Sequence, residues 1–199
     1  EHNEKDVLTL ACLAVHLSRL AGGLVPTGRM EPEELYRLAL WHDKLGQGER
    51  ADETFQELID REEEAADYWL DTADYYKRQG RYEHAVALWE KAIERKRRTR
   101  LASLVPYVEL AMYYEHQQKD VERALAYAEL ALERAQARVA TAKRLEGKAL
   151  DEIGPIVKRV ERLRLKQNAA QLKTAKRSKR SSVQSYSASA PTITAQSLF

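Results

Sequence analysis

The chain has 199 residues, of which 44% are hydrophobic and 32% are charged, and this composition excludes a wholly disordered polymer. It contains only 8 Gly and 5 Pro, while Ala, Leu, Glu and Arg dominate, which predicts an all-α protein with wide solvated faces. The formal net charge of +2 says little about partners, because acidic residues gather in 49–75 and basic residues in 95–100 and 173–180.

The first predicted element is a helix over residues 3–21, with Asn3 as its N-cap and Gly22-Gly23 at its end. Its apolar run, residues 7–17, is shorter than the roughly 20 residues that cross a bilayer, so we expect no membrane association. Cys12, the only cysteine, lies on the apolar side of this helix. Without a second cysteine the chain forms no internal disulfide, and a cytoplasmic location fits best.

Two polar residues stand at the start of this helix. His2 and Asp6 are four residues apart, so an imidazole and a carboxylate lie one helical turn apart and can share a metal-bound water. The alternative interpretation is a solvated terminal histidine and a carboxylate that is favourable near a helix N-terminus.

The stretch "HNEKDVLTL" resembles the last motif of ribonuclease H-like 3'-5' exonucleases of the DEDD type. In that motif a Tyr or His precedes a metal-binding Asp at the start of the domain's final helix. The resemblance implies that Asp6 binds a divalent metal, Mg²⁺ or Mn²⁺, and that His2 orients the attacking water. The gap of three residues matches the tyrosine subclass, whereas the residue itself is His.

The resemblance also implies that residues 1–22 are the last helix of a truncated ribonuclease H-like domain. The three other acids of the family lie on upstream strands and are absent from this sequence, and Glu1 takes the place of an initiator Met. We therefore expect the chain to be the C-terminal part of a longer protein, inert as a nuclease on its own and without a cofactor of its own.

An offset of 34 residues aligns two later stretches. The aligned pairs are Leu35 with Trp69, Ala39 with Ala73, His42 with Tyr76, Gly46 with Gly80, Ala51 with Ala85 and Phe55 with Trp89. Small residues allow two antiparallel helices to approach, and Gly permits a turn with positive φ. A third copy follows from Tyr107, with no Gly in its turn "HQQKD". The pattern predicts helix hairpins that turn near Gly46, Gly80 and Gln118, and the alternative is an irregular helical bundle.

These hairpins resemble the tetratricopeptide repeat family in residues 32–65, 66–99 and 104–134. The resemblance implies an all-α solenoid of antiparallel helix hairpins whose concave face holds a protein partner or peptide. Residues 135–166 are expected to form capping helices, interrupted at Gly154-Pro155 and closed by Ile156, Val160 and Leu163. Residues 167–199 are rich in Ser, Ala and Thr and are expected to be a disordered tail.

The basic run Arg95, Lys96, Arg97, Arg98 and Arg100 is a candidate nucleic-acid contact, because each cation can neutralise a phosphate. A solvated helix end that favours cations explains the run equally well. The cations between 173 and 180 are open to the same two interpretations. His42 is expected to be a packing residue, and the acidic stretch 60–71 a solvated helix start.

A ribonuclease H-like domain that ends in one helix and continues into tetratricopeptide hairpins resembles the bacterial YprB-like proteins. This combination implies the repeat region of a metal-dependent nucleic-acid-processing protein, in which nucleic acid binds through the parent domain and the present chain serves as an interaction scaffold. The alternative is a non-catalytic adaptor for protein–protein interaction.

Overall fold

The computed structural model describes residues 2–62, 64–96, 103–141 and 146–187, and their regular structure is helical without strands. This confirms the predicted all-α class. The α-helices are α1 (His2–Ala21), α2 (Pro32–Lys44), α3 (Gly48–Asp60), α4 (Trp69–Arg78), α5 (Tyr82–Lys96), α6 (Val105–His116), α7 (Val121–Thr141) and α8 (Glu146–Ser187). Short 3-10 turns cover Thr27–Arg29 and Ala66–Tyr68. Across these residues we find no helix with the length and hydropathy of a membrane span.

The chain divides into two compact units, Glu1–Pro106 and Tyr107–Phe199. The first unit contains α1 and two hairpins, α2–α3 and α4–α5, and the second contains α6 from Tyr107 onward together with α7 and α8.

Both hairpins of the first unit turn at a glycine. Gly46 and Gly80 each have φ of +74°, a conformation that side chains with a Cβ rarely adopt. The amide of the following residue donates a hydrogen bond of 2.9 Å back into the first helix, from Gln47 to His42 and from Arg81 to Tyr76. These two turns were predicted correctly from the 34-residue offset.

Small and aromatic residues fill the core of the hairpins at the aligned positions. Ala39, Ala51, Ala73 and Ala85 have no exposed surface, and the rings of Phe55 and Trp89 are also buried. The Phe55 ring of α3 lies 4.4 Å from the Tyr75 ring of α4, so aromatic contacts join the first hairpin to the second. The packing reason given for the repeat therefore holds.

The third hairpin turns without glycine, as its sequence indicated. Lys119 adopts φ of +55° in the left-handed region. The Asp120 amide donates to the Tyr114 carbonyl at 2.8 Å. The Asp120 carboxylate then accepts from the amide of Arg123 at 3.0 Å, which caps the start of α7.

Two expectations for the C-terminal part are wrong. α8 continues through Gly154 and Pro155 without a break, because the buried side chains of Ile156, Val160 and Leu163 hold this part of the helix in the core, which offsets the backbone hydrogen bond that Pro cannot donate. Residues 167–187 are helical rather than disordered, since Ala, Gln, Leu and Lys are strong helix formers that extend an existing helix. Residues 188–199 lie outside the described ranges.

Candidate functional site

The predicted metal-binding residues lie at the start of α1. The helix begins at His2, and Asp6 follows one turn later with an exposed side chain; the side chain of His2 is outside the described part of the structure. Within the described ranges, no group of three or more His, Cys, Asp or Glu is arranged to hold a metal ion. A hard divalent cation needs several converging oxygen ligands, and Asp6 supplies one carboxylate. We therefore derive no catalytic step from it, and the roles of His2 and Asp6 stay predictions.

The surface of α1 is apolar over a broad arc, and one side carries Lys5, His16 and Arg19. Its large apolar side chains have exposed fractions between 41% and 65%, namely Val7, Leu8, Leu10, Leu13, Val15 and Leu17. Cys12 is exposed as well. At about 100° per residue, Val15 and Leu17 are separated by about 160° around the axis, so the apolar surface is not a single stripe. A helix of this kind is typical of the core of a larger domain.

The segment that joins α1 to the first hairpin is held by side chains of α3. Arg50 donates to the Ala21 carbonyl at 2.8 Å, at the end of α1. Thr27 donates to the carboxylate of Glu57, and Arg61 donates to the carbonyls of Thr27 and Met30. Together these hydrogen bonds hold residues 21–30 against α3. They therefore fix the orientation of α1 relative to the first hairpin.

An apolar groove of about 530 Å³ lies where α1, this segment and α2 meet. Its lining includes Leu17 and Leu20 of α1, Met30, and Leu38 and Trp41 of α2. The groove continues the exposed apolar surface of α1 onto the first hairpin.

Two tyrosine rings lie together between α2 and the start of α4. Tyr36 and Tyr68 have ring centroids 5.5 Å apart, and both side chains are half-buried. On the same pair of helices the Tyr75 hydroxyl donates to Asp43 at 2.9 Å, and burial together with this hydrogen bond raises the pKa of Tyr75. Tyr75 and Asp43 therefore join the two helices beside the half-buried ring pair.

Carboxylates surround the ring pair. Burial raises the pKa of Tyr36, and the negative charge of Asp71 raises it further. Burial also raises the pKa of Tyr68, and Glu33 adds to this effect. Arg78 opposes the shift of Tyr36 and Arg37 opposes that of Tyr68, but in both cases the nearby carboxylates add to the effect of burial. We call Tyr36, Tyr68, Asp71 and Glu33 the tyrosine surface.

The basic run at the end of α5 is only partly described. Arg95 lies 5.9 Å over the ring of Trp69 and 3.8 Å from a carboxylate oxygen of Asp67. Arg95 thus makes contacts within the second hairpin. The side chain of Lys96 and all of Arg97, Arg98 and Arg100 lie outside the described residues, so a phosphate-binding role for the run stays a prediction.

His42 has the packing role expected from its alignment with Tyr76. It is buried, and its Nδ1 lies 2.8 Å from the side-chain oxygen of Gln47. The polar end of the ring therefore contacts the hairpin turn.

Sequence reasoning missed the most buried carboxylate of the described residues, Glu115 on α6, whose side chain is 1% exposed. Arg162 donates to it at 2.7 Å and Lys166 at 2.6 Å, both from α8, and Arg159 donates at 3.1 Å. The three cations recur at spacings of three and four residues, which places them on one helical face. That spacing is visible in the sequence, but the partner of the three cations lies at least 44 residues upstream and has no local pattern.

Comparison of the sequence with known proteins identifies a repeat family and one similar bacterial protein. Residues 66–99 match the tetratricopeptide repeat family, and with the hairpins of both units this makes the chain an all-α helical-repeat protein. A bacterial relative, "Uncharacterized protein YprB" of Bacillus subtilis (strain 168), is 36% identical over 135 residues. The matched region is 66% of this chain and 31% of the relative, so the chain spans about a third of the relative's length.

Proposed function

We propose that this chain is an interaction scaffold that binds a linear protein segment across the tyrosine surface of α2 and α4. The observation that carries the proposal is the half-buried pair Tyr36 and Tyr68, whose rings lie 5.5 Å apart with the carboxylates of Asp71 and Glu33 nearby. Tyr side chains supply large contact area at low conformational cost, and such rings are enriched where proteins meet. Tetratricopeptide repeats generally mediate protein–protein interaction, which supports this assignment.

The charges around the rings favour a basic partner. Asp71 and Glu33 attract Lys or Arg side chains, and a cation over a tyrosine face gains a further attraction. The surface also carries Arg37, which pairs with Glu33 at 2.7 Å. An incoming cation competes with that exposed pair at little cost, because exposed ion pairs are weak.

The test is selection of short random peptides on the immobilised 199-residue chain, followed by affinity measurement on Asp71→Asn and on the control Glu53→Gln. Glu53 is exposed on α3 and lies outside the tyrosine surface. We expect Lys- and Arg-containing peptides, with affinity lowered about three- to tenfold by Asp71→Asn and unchanged by the control. Peptides without basic residues, or equal affinities for all three proteins, would reject the tyrosine surface.

We further propose that, in the full-length protein, α1 completes a ribonuclease H-like domain of the metal-dependent exonuclease type. Two features support this. A helix with a broad exposed apolar surface is suited to burial in a preceding domain, and the stretch from His2 to Asp6 resembles the last motif of that family. In this arrangement Asp6 is one of several carboxylates that hold a divalent cation, which activates water and neutralises charge at phosphorus.

Asp6→Asn in the full-length protein tests this part of the proposal. We expect loss of magnesium- or manganese-dependent cleavage of single-stranded DNA or RNA, since an amide replaces a charged ligand, with helicity unchanged by circular dichroism. Glu4→Gln is the matched control, because Glu4 is also exposed in the first turns of α1. Equal cleavage by Asp6→Asn and the wild type would reduce Asp6 to a favourable helix-start charge. If the wild type does not cleave, the non-catalytic adaptor is the better assignment.

A further inference from the structure

The last acidic residue of the sequence is Glu161, and no Asp or Glu follows it up to residue 199. Eight cations follow it, and the last five lie on the later part of α8, namely Lys173, Lys176, Arg177, Lys179 and Arg180. We call these five residues the basic segment. Because α8 extends to Ser187, the basic segment is helical and not part of a disordered tail.

This part of α8 extends beyond its core contacts. Leu163 is fully buried, whereas the side chains of residues 168–174 are all exposed. Among the described side chains, the last ion pair along α8 is that of Lys166 with Glu115. From Lys166 to Ser187 the helix is about 32 Å long, and its described side chains from 168 to 174 are exposed.

The helix register gathers the cations of the basic segment. At about 100° per residue, positions 173, 176, 177 and 180 fall within about 100° of the circumference, and they span about 10 Å of the axis. Several of these positions are three or four residues apart, a spacing at which like charges repel and destabilise a helix.

Three cations of the first unit avoid this repulsion. Arg37, Arg61 and Arg78 each pair with an acid four residues earlier, at 2.7, 3.3 and 3.0 Å respectively. The basic segment has no acid at the corresponding positions. A solvated helix face with no other role is normally built in the first way, so the lack of interspersed acids indicates an anionic partner.

We propose that the basic segment of α8 binds the phosphate backbone of nucleic acid. Four cations over about 10 Å of helix approach the charge density of a DNA duplex, which carries one negative charge per about 1.7 Å of its axis. Cations on an α-helix also fit the dimensions of a nucleic-acid groove. The interaction does not depend on the tyrosine surface or on Asp6.

Nucleic acid fits the segment better than a lipid surface. Helices that lie on membranes carry bulky apolar residues opposite their cations, whereas residues 168–182 contain Leu172 as their only large apolar residue, with small Ala residues at 169, 170 and 175. Such a helix has too little apolar area to insert between headgroups, while phosphate contacts need only the cations.

The experiment measures fluorescence anisotropy of a labelled short DNA duplex, and of its single strand, with the 199-residue chain at several salt concentrations. The test variant replaces the five cations of the basic segment with Gln, a good helix former. The control replaces five exposed cations elsewhere with Gln, namely Lys5, Arg19, Arg29, Lys44 and Lys119. Both variants change the net charge equally. A third variant, K173R/K176R/K179R, keeps every charge.

We expect the wild type to bind at low salt, with a slope of log affinity against log salt of about −4 for the duplex. The Gln variant of the basic segment should lose at least about tenfold in affinity and most of the slope, while the control and the Arg variant bind like the wild type. No binding by the wild type, or an equal loss in the control, would overturn the proposal. Binding to phosphatidylserine vesicles without binding to either DNA would also overturn it, in favour of a membrane surface.

Discussion

At the scale of single residues, Glu115 shows how a buried charge is kept ionised. Burial alone would raise the pKa of its carboxyl, but hydrogen bonds from Arg162 and Lys166 and their positive charges outweigh burial and lower the pKa to about 2. A carboxylate with this pKa is fully ionised at neutral pH. Glu115 thus holds α8 against the end of α6 by charge, next to the apolar contact of Leu163.

Glu115→Gln is expected to lower the free energy of unfolding by about 1–3 kcal/mol at pH 7, because the amide loses the charge that three cations share. The measurement is urea denaturation followed by circular dichroism. Glu129→Gln is the control, since Glu129 pairs with Arg164 at 2.8 Å in an exposed position, and exposed pairs contribute at most about 1 kcal/mol. Equal effects of the two substitutions would contradict the proposed role of Glu115 in holding α8 against α6.

The pH dependence follows from the direction of the shift. The pKa of Glu115 is lowered from its ordinary 4.5 to about 2, so the folded state binds the proton less readily than the unfolded chain does. The stabilisation is complete above about pH 4.5 and is lost as the pH falls towards 2. The difference between wild type and Glu115→Gln should therefore shrink over this range, which denaturation at each pH will check.

At the scale of helices, the hairpins depend on small residues at their contacts. Ala85→Leu in α5 is expected to cost about 1–3 kcal/mol, because Ala85 has no exposed surface and three added carbons overpack the contact with α4. Ala87→Leu is the matched control on the same helix, where the side chain is exposed. A denaturation midpoint unchanged in Ala85→Leu would show that the hairpin register is wrong.

In the third hairpin a substitution is expected to stabilise the fold rather than destabilise it. Lys119 has φ of +55°, a conformation that Gly adopts without steric cost. Lys119→Gly is expected to stabilise the second unit by about 0.5–1 kcal/mol. Gln118→Gly, one residue earlier, should destabilise it instead, since flexibility is added without relief of strain. Thermal unfolding of both variants gives the answer, and a loss of stability in Lys119→Gly would contradict the argument.

The hairpins were predictable because their information is local and repeated. Ala39 and Ala73 occupy equivalent buried positions in the first and second hairpins, and Gly46 and Gly80 occupy equivalent turn positions. Each requirement therefore appears twice in the sequence, 34 residues apart. The course of α8 was not predictable in this way. Pro155 is normally a helix breaker, and only the burial of Ile156 and Val160 against the core, a tertiary effect, outweighs it.

At the scale of the whole molecule, the exposed apolar surface of α1 has no described role in the stability of the hairpins. Leu8→Lys with Leu13→Lys should leave the thermal midpoint of the 199-residue chain within about 2 °C, because both side chains are largely exposed. The same variant should bind less of a fluorescent hydrophobic dye, since the apolar patch is reduced. Leu35→Ala, at a fully buried position, is the contrasting control and should lower the midpoint. A large loss of stability in the α1 variant would mean that α1 packs on the hairpins.

The candidate sites were less accessible to prediction than the fold. The tyrosine surface needs Tyr36 and Tyr68 to meet across two helices, 32 positions apart in the sequence, and no local pattern marks that contact. Asp6 was selected from a short resemblance, because its expected partners lie beyond the described chain. The cations at the end of α8 were visible in the sequence, but only the helix showed that four of them share one face.

Arg50 and Arg61 donate hydrogen bonds to carbonyls of residues 21–30, and Glu57 accepts one from Thr27. Because its end is anchored in this way, α1 can act as a lever. Its 20 residues correspond to about 30 Å of helix, so a rotation of about 10° at the anchored end moves the far end by about 5 Å. A peptide that shifts α2 or α3 when it binds would displace whatever is attached at the start of α1 by a distance comparable to a whole side chain. The coupling also acts in the opposite direction, because a domain that packs on α1 along its length would fix the orientation of the first hairpin relative to that domain.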